Sequence, residues 1–537
     1  MIRTRTVSVL ALATALGWAV PASAQSAADF ATMKAQMEAM QAQLDAMKSK
    51  VDTLEGQLTQ AQAEAQSATV AAQNASARAA TASEVATKTA DAAPKVAWKG
   101  APEFTGKDGW SFKPRGRIHI DAGTISVPGD FSSTTLGGKA RVRRVRLGFE
   151  GTVPGGFGYK AEADFANASV AFGDVWITYT PASAPMQVRI GNLETLNSME
   201  QISSSNFNTF IERSAFNDAF INVRRLGAAL AWRSENNDWR AEVGLFASHS
   251  IDSSLDNNGL IGAARLVYAP EVAGGQLHLG LNYQYRDFAD NAGGVASTGI
   301  GNPSTNQLAR YRARPGSQLT DVRFVDTGSF AAHGDQLLGL EASAIFKGLY
   351  VAGEAQWLRS DAYAAGDRAS ELDSFTGGNL AVVPVGNPGF FGAYGEIGYF
   401  LTGETRGYKR GDGTWARTKV SNPVTKGGAG AFQLAARIDH VDLDNDALTA
   451  GPINNFATGV ANPAALSGRL ARGGSQTGYL LALNWYPMDY VRFMVNYGHF
   501  AVKGGPIAQA VHPLSSVPID QRKYFVDVLQ TRLQIDF

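Results

Sequence analysis

Two hydrophobic periods divide the chain. Between Phe30 and Ala68, apolar residues recur in steps of three and four: Phe30, Met33, Met37, Met40, Leu44, Met47, Val51, Leu54, Leu58, Ala61, Ala65 and Ala68. This period of about 3.5 residues keeps one seam facing other helices over about five heptads, and it predicts an α-helical coiled coil at 25–68. Gln, Lys, Asp, Glu and Ala fill the intervening positions, so the helix has no second apolar face. The same seam could also be read as a lone amphipathic helix packed on the rest of the chain. Toward its end the seam fades to alanine, and 69–109 reads as an Ala-rich linker that includes the break at Pro94.

From Trp110 onward the period is two. In QLHLGLNYQYR, Leu277, Leu279, Leu281, Tyr283 and Tyr285 fall on one face and His278, Asn282, Gln284 and Arg286 on the other. RIHIDAG, YKAEADFA, LYVAGEAQW, FQLAARID, YVRFMVNYG and TRLQIDF repeat the pattern, each as a strand with one apolar and one polar face. Aromatic residues gather near the ends of these runs: Trp176, Tyr179, Trp232, Trp239, Trp357, Tyr399, Trp485 and Tyr497.

A soluble sandwich would turn the apolar faces inward, whereas a membrane barrel turns them toward lipid. Run length favours the barrel, because strands of about ten residues are what a tilted strand needs to cross a bilayer, and about sixteen such runs fit between Arg115 and Phe537. The connections alternate as well. TVPGG, PASAP, SENND, PEVAGG, FKG and YPMD are short, while 192–222, 287–334, 360–388 and 442–476 are long. Short periplasmic turns opposite long extracellular loops are expected of a bacterial outer-membrane barrel. One segment breaks the rule, since 402–431 is long where a short turn is due. The fold expected is therefore all-β, a transmembrane antiparallel β-barrel over 110–537 with its lipid-facing band in the outer membrane. An even strand number places both termini and the coiled coil in the periplasm.

The run KARVRRVRLGFEG, Lys139 to Gly151, tests this assignment. With Val145, Leu147 and Phe149 toward lipid, Arg144, Arg146 and Glu150 face the lumen, but Arg141 and Arg143 fall out of register. A lipid-facing arginine at the bilayer midplane costs about 2–4 kcal/mol. Either these residues lie beyond the apolar band, or a bulge separates Arg143 from Arg144. Arginines lining a pore select anions. Alternatively, they pair with Glu150, Glu162 and Asp164 and merely hydrate the wall.

Composition and the N-terminus fix the compartment. Arg3 and Arg5 precede VSVLALATALGWAV, and Ala22-Ser23-Ala24 follows Pro21, which predicts a signal peptide over 1–24. No later segment reaches about 18 consecutive apolar residues, so no membrane-spanning helix is expected. The chain has no cysteine, which removes lipid anchoring and thiol chemistry, and its 48 basic and 48 acidic side chains argue against a nucleic-acid partner. The seven histidines fall in no HExxH spacing and no GxSxG occurs, so neither an enzyme nor a cofactor or metal site is expected.

The barrel region resembles the phosphate-selective porin O/P family. The resemblance runs from about Arg115 to Phe537 and rests on ordered segments: RVRRVRLGFEG, RIGNLETLNSMEQISSSNFNTFIERS with RRLGAALAW, RYRARP with VDTG, GLEASAIFKGLYVAGEAQW, GYFLTGETRGYK, FQLAARIDHVDLD, TGYLLALNWYP and TRLQIDF. It implies a sixteen-stranded homotrimer whose loops fold into the lumen and whose arginines guide small anionic solutes. The positions it brings forward are Arg143 and Arg144, with Arg146 beside them, Arg213 in FIER, and Arg310, Arg312 and Arg314 in RYRARP. The last three alternate with Tyr311 and Ala313, which would set charges about 7 Å apart along an extended segment. This sequence departs from a phosphate-specific pattern, because 193–211 has no lysine and carries Glu194 and Glu200. The function expected is a passive, anion-preferring channel for small solutes, phosphate or polyphosphate among them. The rival is a structural tether, in which a coiled coil about 50 Å long links the outer membrane to the cell wall.

Overall fold

The computed structural model describes residues 31–43, 45–47, 49–50 and scattered positions up to 78, then 95–537 except 130, 132, 134–135, 167–169, 221–222, 252–258, 289–307, 329, 363–380, 383, 451–452, 456–459, 462–472 and 512–514. The chain divides into two compact units, Met1–Ala93 and Pro94–Phe537. In the first unit the described residues are helical and exposed, with the seam residues Met33, Met37, Met40 and Met47 on the surface. The signal peptide and the seam positions Phe30, Leu44, Val51, Leu54, Leu58, Ala61 and Ala65 lie outside the described residues.

The second unit is a closed antiparallel barrel of sixteen strands. They are β1 Ser111–Ser126, β2 Gly137–Val153, β3 Phe157–Asp164, β4 Ala171–Tyr179, β5 Met186–Glu194, β6 Arg224–Arg233, β7 Trp239–Ala247, β8 Leu260–Tyr268, β9 Gly275–Asp287, β10 Phe330–Phe346, β11 Leu349–Ala362, β12 Gly389–Phe400, β13 Ala431–Asp442, β14 Ser475–Met488, β15 Val491–Lys503 and β16 Lys523–Asp536. Each pairs with the next, and β16 closes onto β1 from Asp527↔Ser126 to Asp536↔Arg117. At the seam Phe537 and Gly116 exchange backbone hydrogen bonds of 2.9 and 3.0 Å. A Cβ at Gly116 would sit 2.2 Å from the Phe537 ring, so glycine makes room for the terminal aromatic. Within the expected linker, Lys95–Trp98 and Pro102–Thr105 form a hairpin whose second strand pairs with β1.

The faces are inside out relative to a soluble sandwich, as the alternation requires of a membrane barrel. On β9, Leu279, Leu281, Tyr283 and Tyr285 are exposed, whereas His278, Asn282, Gln284 and Arg286 are buried in the lumen. Trp232, Trp239, Trp357, Tyr399 and Tyr497 also face outward. Trp176 differs, lying half-buried on the lumen side of β4.

The register conflict in β2 is resolved by a bulge. Val142 pairs with Ile120 and Arg144 with His119, so Arg143 is the extra residue. Before the bulge Val142 is exposed, and after it Leu147 and Phe149 are. The single inserted residue shifts the two-residue period by one step and brings Arg143 and Arg144, though adjacent in sequence, to the same side of the wall.

Among the described residues, three connections reach into the lumen. Segment 195–223, between β5 and β6, carries two short helices, α1 Met199–Ile202 and α2 Ala215–Ala219. Its backbone is bonded to the wall of β13–β16: Ala215 N donates to Asp439 Oδ2 (2.9 Å), Ile211 N to Asn496 Oδ1 (2.7 Å), and Arg492 Nη1 to Asn208 O (2.7 Å). The Phe216 side chain packs directly on Gly392, where a Cβ would come within 2.5 Å. Segment 308–328 adds Tyr311 and Phe324 to a core with Phe210, Phe216, Phe220, Phe330 and Phe390.

The anomalously long connection 401–430 folds inward from the short-turn end. Arg406 lies over the rings of Tyr350 (4.9 Å) and Trp415 (4.5 Å) and donates to Phe207 O at 2.7 Å. Tyr408 Oη meets His278 Nδ1 at 2.6 Å. These contacts occupy the lumen beside β9–β16, and a polar space remains along β1–β7.

Candidate anion path through the lumen

Two cavities lie along that open half. The larger, about 370 Å³, is walled by β1–β7, the start of segment 195–223 and the tip of segment 401–430. The smaller, about 160 Å³, lies between β2, segment 195–223 and the 314–318 stretch. Arg144 and Arg213 line both, so they stand between the two spaces.

The charges in the larger cavity do not cancel. Seven of its cations have a carboxylate partner. Arg115 pairs with Glu150 and Lys160 with Asp174; Arg117 and Arg146 share Glu162 at 2.9 Å each, with Arg146 also 2.8 Å from Asp164. Arg224 bridges Asp174 (2.6 Å) and Glu194 (2.9 Å), Arg240 takes Glu242 (2.6 Å), and Lys409 takes Asp412 (2.5 Å).

Among the described residues, Arg144, Arg189 and Arg213 line this cavity with no carboxylate within salt-bridge distance. Arg144 Nη1 is 3.5 Å from His119 Nδ1, and its Nε has no partner. Arg189 donates to Gln187 Oε1 at 3.3 Å and lies 5.4 Å over the Trp176 ring, again with its Nε unpartnered. Arg213 donates to three carbonyls, those of Glu200, Gln201 and Ser203, at 3.0–3.1 Å. Burial lowers its basicity and Glu194 and Glu200 oppose that fall, but a guanidinium stays charged near neutral pH.

The other arginines singled out by the sequence are compensated to different degrees. Arg143 Nε lies 3.2 Å from Glu212 and lines the smaller cavity. Burial pushes the Glu212 carboxyl upward, yet Arg143 and Arg532 outweigh it and hold the group at about 2. Arg146 is shared between two carboxylates, in line with the hydrated-wall reading. Arg310 forks onto Asp326 at 2.8 and 2.6 Å. Arg314 pairs with Asp218 (3.0 Å) and Asp321 (3.1 Å) and touches the smaller cavity. Arg312 is half-buried in a two-residue ladder with Val325–Asp326. Arg310 and Arg314 of the RYRARP segment therefore lie folded against acidic partners, and Arg314 also reaches the smaller cavity.

Sequence reasoning missed Arg189, which lies on the lumen face of MQVRIGNLE, and the inward turn of Trp176. Period-two alternation places both on the lumen side, Arg189 opposite Val188 and Ile190, and Trp176 opposite Ile177. It also missed the arginines that hold segment 401–430.

The family model "Phosphate-selective porin O and P" matches residues 112–537. An uncharacterized protein of Caulobacter vibrioides is 33% identical over 452 residues, covering 82% of this chain and 77% of that one. Porin O of Pseudomonas aeruginosa is 25% identical over 410 residues, covering 72% and 82%. The anion-selective porin from Comamonas acidovorans, at 12% identity, aligns over 80% of this chain and 100% of its own with a TM-score of 0.41. The chain belongs to the phosphate-selective porin O and P family and is an outer-membrane porin.

Proposed function

We propose that the barrel is a passive, anion-preferring channel whose selective point is the passage between Arg144 and Arg213. The observation that carries this reading is the three guanidinium groups, Arg144, Arg189 and Arg213, that line the larger cavity with no carboxylate at salt-bridge distance. With no net charge on the chain, no long-range field steers anions, and salt screens charges beyond about 8 Å. Selection then falls to groups within a few ångströms of the ion, and a guanidinium offers a planar fork of donors to phosphate or carboxylate. Arg143 and Arg314 extend the path toward the long loops, while Arg310 and Arg312 support segment 308–328. Phosphate and polyphosphate are among the solutes, but 195–223 contains no lysine to single them out. Reversal potentials in a potassium chloride gradient test the reading, with anion preference expected and cation preference overturning it.

In this reading the long loops are extracellular, and both termini are periplasmic after removal of residues 1–24. The exposed methionine row at 33, 37, 40 and 47 supports association through 25–68, and three copies suit a porin. Crosslinking in detergent should give a trimer, and a clean monomer with the helix intact would overturn that. The tether remains the second reading for the helix: a chain lacking 27–94 that conducts normally but loses envelope attachment would favour it.

A further inference from the structure

The lumen of a porin is expected to be polar, yet β5–β8 present an apolar island inside it. Leu193, Leu196, Phe246 and Ile261 are buried together, and Trp176 packs against them. Part of the island holds segment 195–223 to the wall, but Trp176, Leu193 and Leu196 also line the larger cavity. Arg189 lies over the Trp176 ring with no carboxylate partner. A cation with no carboxylate at salt-bridge distance, sharing its cavity with Glu242 and Asp412, which are paired to Arg240 and Lys409, therefore stands at the edge of an apolar surface, in a space of about 370 Å³, ample for an ion with an organic body.

We propose that this chamber binds anions that carry an apolar or aromatic body, the carboxylate on Arg189 and the body against Trp176 and Leu193. The proposal rests on the anion-channel reading above and names its substrate class. A bare inorganic anion gains nothing from the indole face. A monocarboxylate with a ring gains both the charge-assisted fork and contact with the aromatic surface. Arg189 is already set in place by the indole and by Gln187, so little side-chain freedom is lost on binding.

The test uses the full chain in planar bilayers at about pH 8, where carboxylic acids are ionised. The reversal potential in potassium chloride is recorded first. If it shows no anion preference the channel reading fails, independently of the substrate class. On anion-preferring channels, benzoate should reduce the chloride current at concentrations roughly three- to tenfold below acetate. The benzoate-to-acetate ratio is then compared within each variant, so that changes in absolute conductance cancel. Trp176→Leu should bring the ratio toward one, and Trp176→Phe should keep most of it. Equal block by benzoate and acetate in the wild type, or a ratio untouched by Trp176→Leu, overturns the proposal. Should Trp176→Leu fail to assemble, the wild-type series acetate, butyrate, benzoate decides: block that does not strengthen with apolar size overturns it.

Discussion

Arg437 Nη2 on β13 lies 2.6 Å from Glu200 Oε1 on α1, and the same nitrogen lies 2.5 Å from Glu396 Oε2 on β12. One buried guanidinium therefore joins two wall strands to the segment that narrows the lumen. Glu200 in turn accepts from Ser214 N at 2.8 Å and from Asn217 Nδ2 at 3.2 Å, so its charge organises both ends of 198–217.

Replacing Arg437 with methionine keeps the stem but leaves two carboxylates without their cation. Removing one partner of a buried pair costs about 3–5 kcal/mol. Because the barrel ladder does not depend on this contact, the loss should fall on segment 195–223. The expected outcome is a folded, heat-modifiable barrel with larger and noisier single-channel conductance; unchanged conductance would show that the segment is held without Arg437.

The β2 bulge predicts an asymmetry between deletion and substitution. Deleting Arg143 makes Val142 and Arg144 neighbours in ordinary alternation, so every remaining side chain keeps its face. The barrel should fold normally, and Glu212 keeps Arg532 at 3.0 Å. Leu147→Arg sets a charge toward lipid instead and should lower stability by about 2–4 kcal/mol if the position lies near the midplane. Urea titration of refolding into vesicles measures both, and a deletion more damaging than Leu147→Arg contradicts the register described.

Glu212 gives a pH dependence of known sign. Its folded value of about 2 lies below the ordinary 4.5, so the unfolded chain binds the proton more readily. The stabilisation is present above about pH 4.5 and is lost as pH falls toward 2. Thermal unfolding in detergent should be insensitive to this group from neutral pH to about 5, and Glu212→Gln should flatten the acid limb below that. An acid limb identical in variant and wild type would contradict the pairing with Arg143 and Arg532.

Much of the fold was legible because a barrel wall has only two faces. Alternation at 277–286 assigned each side chain to lipid or lumen, and the conflict at Arg143 and Arg144 pointed either to a bulge or to residues beyond the apolar band, a choice that only the pairing with β1 decides. The length of 192–222 marked it only as one of four long loops, without saying that it turns inward, and that of 402–431 stood out as anomalous. The anomaly went unexplained because its cause is tertiary: Arg406 stacks on Tyr350, from a distant strand, as well as on Trp415.

Charge compensation was hidden for the same reason. RYRARP reads as a ladder of three cations, but Asp326 and Asp218 face Arg310 and Arg314 only after folding. Arg189 drew no reading from the sequence, and its lack of a carboxylate at salt-bridge distance is apparent only once its neighbours are placed.

The account depends most on the three guanidiniums without a salt-bridge partner, and the reversal potential of single channels in a potassium chloride gradient addresses them directly. Changing Arg144 and Arg213 together to glutamate removes two of the three lining guanidiniums that have no carboxylate at salt-bridge distance and sets two carboxylates in their place, leaving Arg189 as the third. The wild type should prefer chloride, and the double variant, still a folded barrel, should lose that preference or favour potassium. A reversal potential that the double replacement leaves unchanged would contradict the assignment of selectivity to this passage.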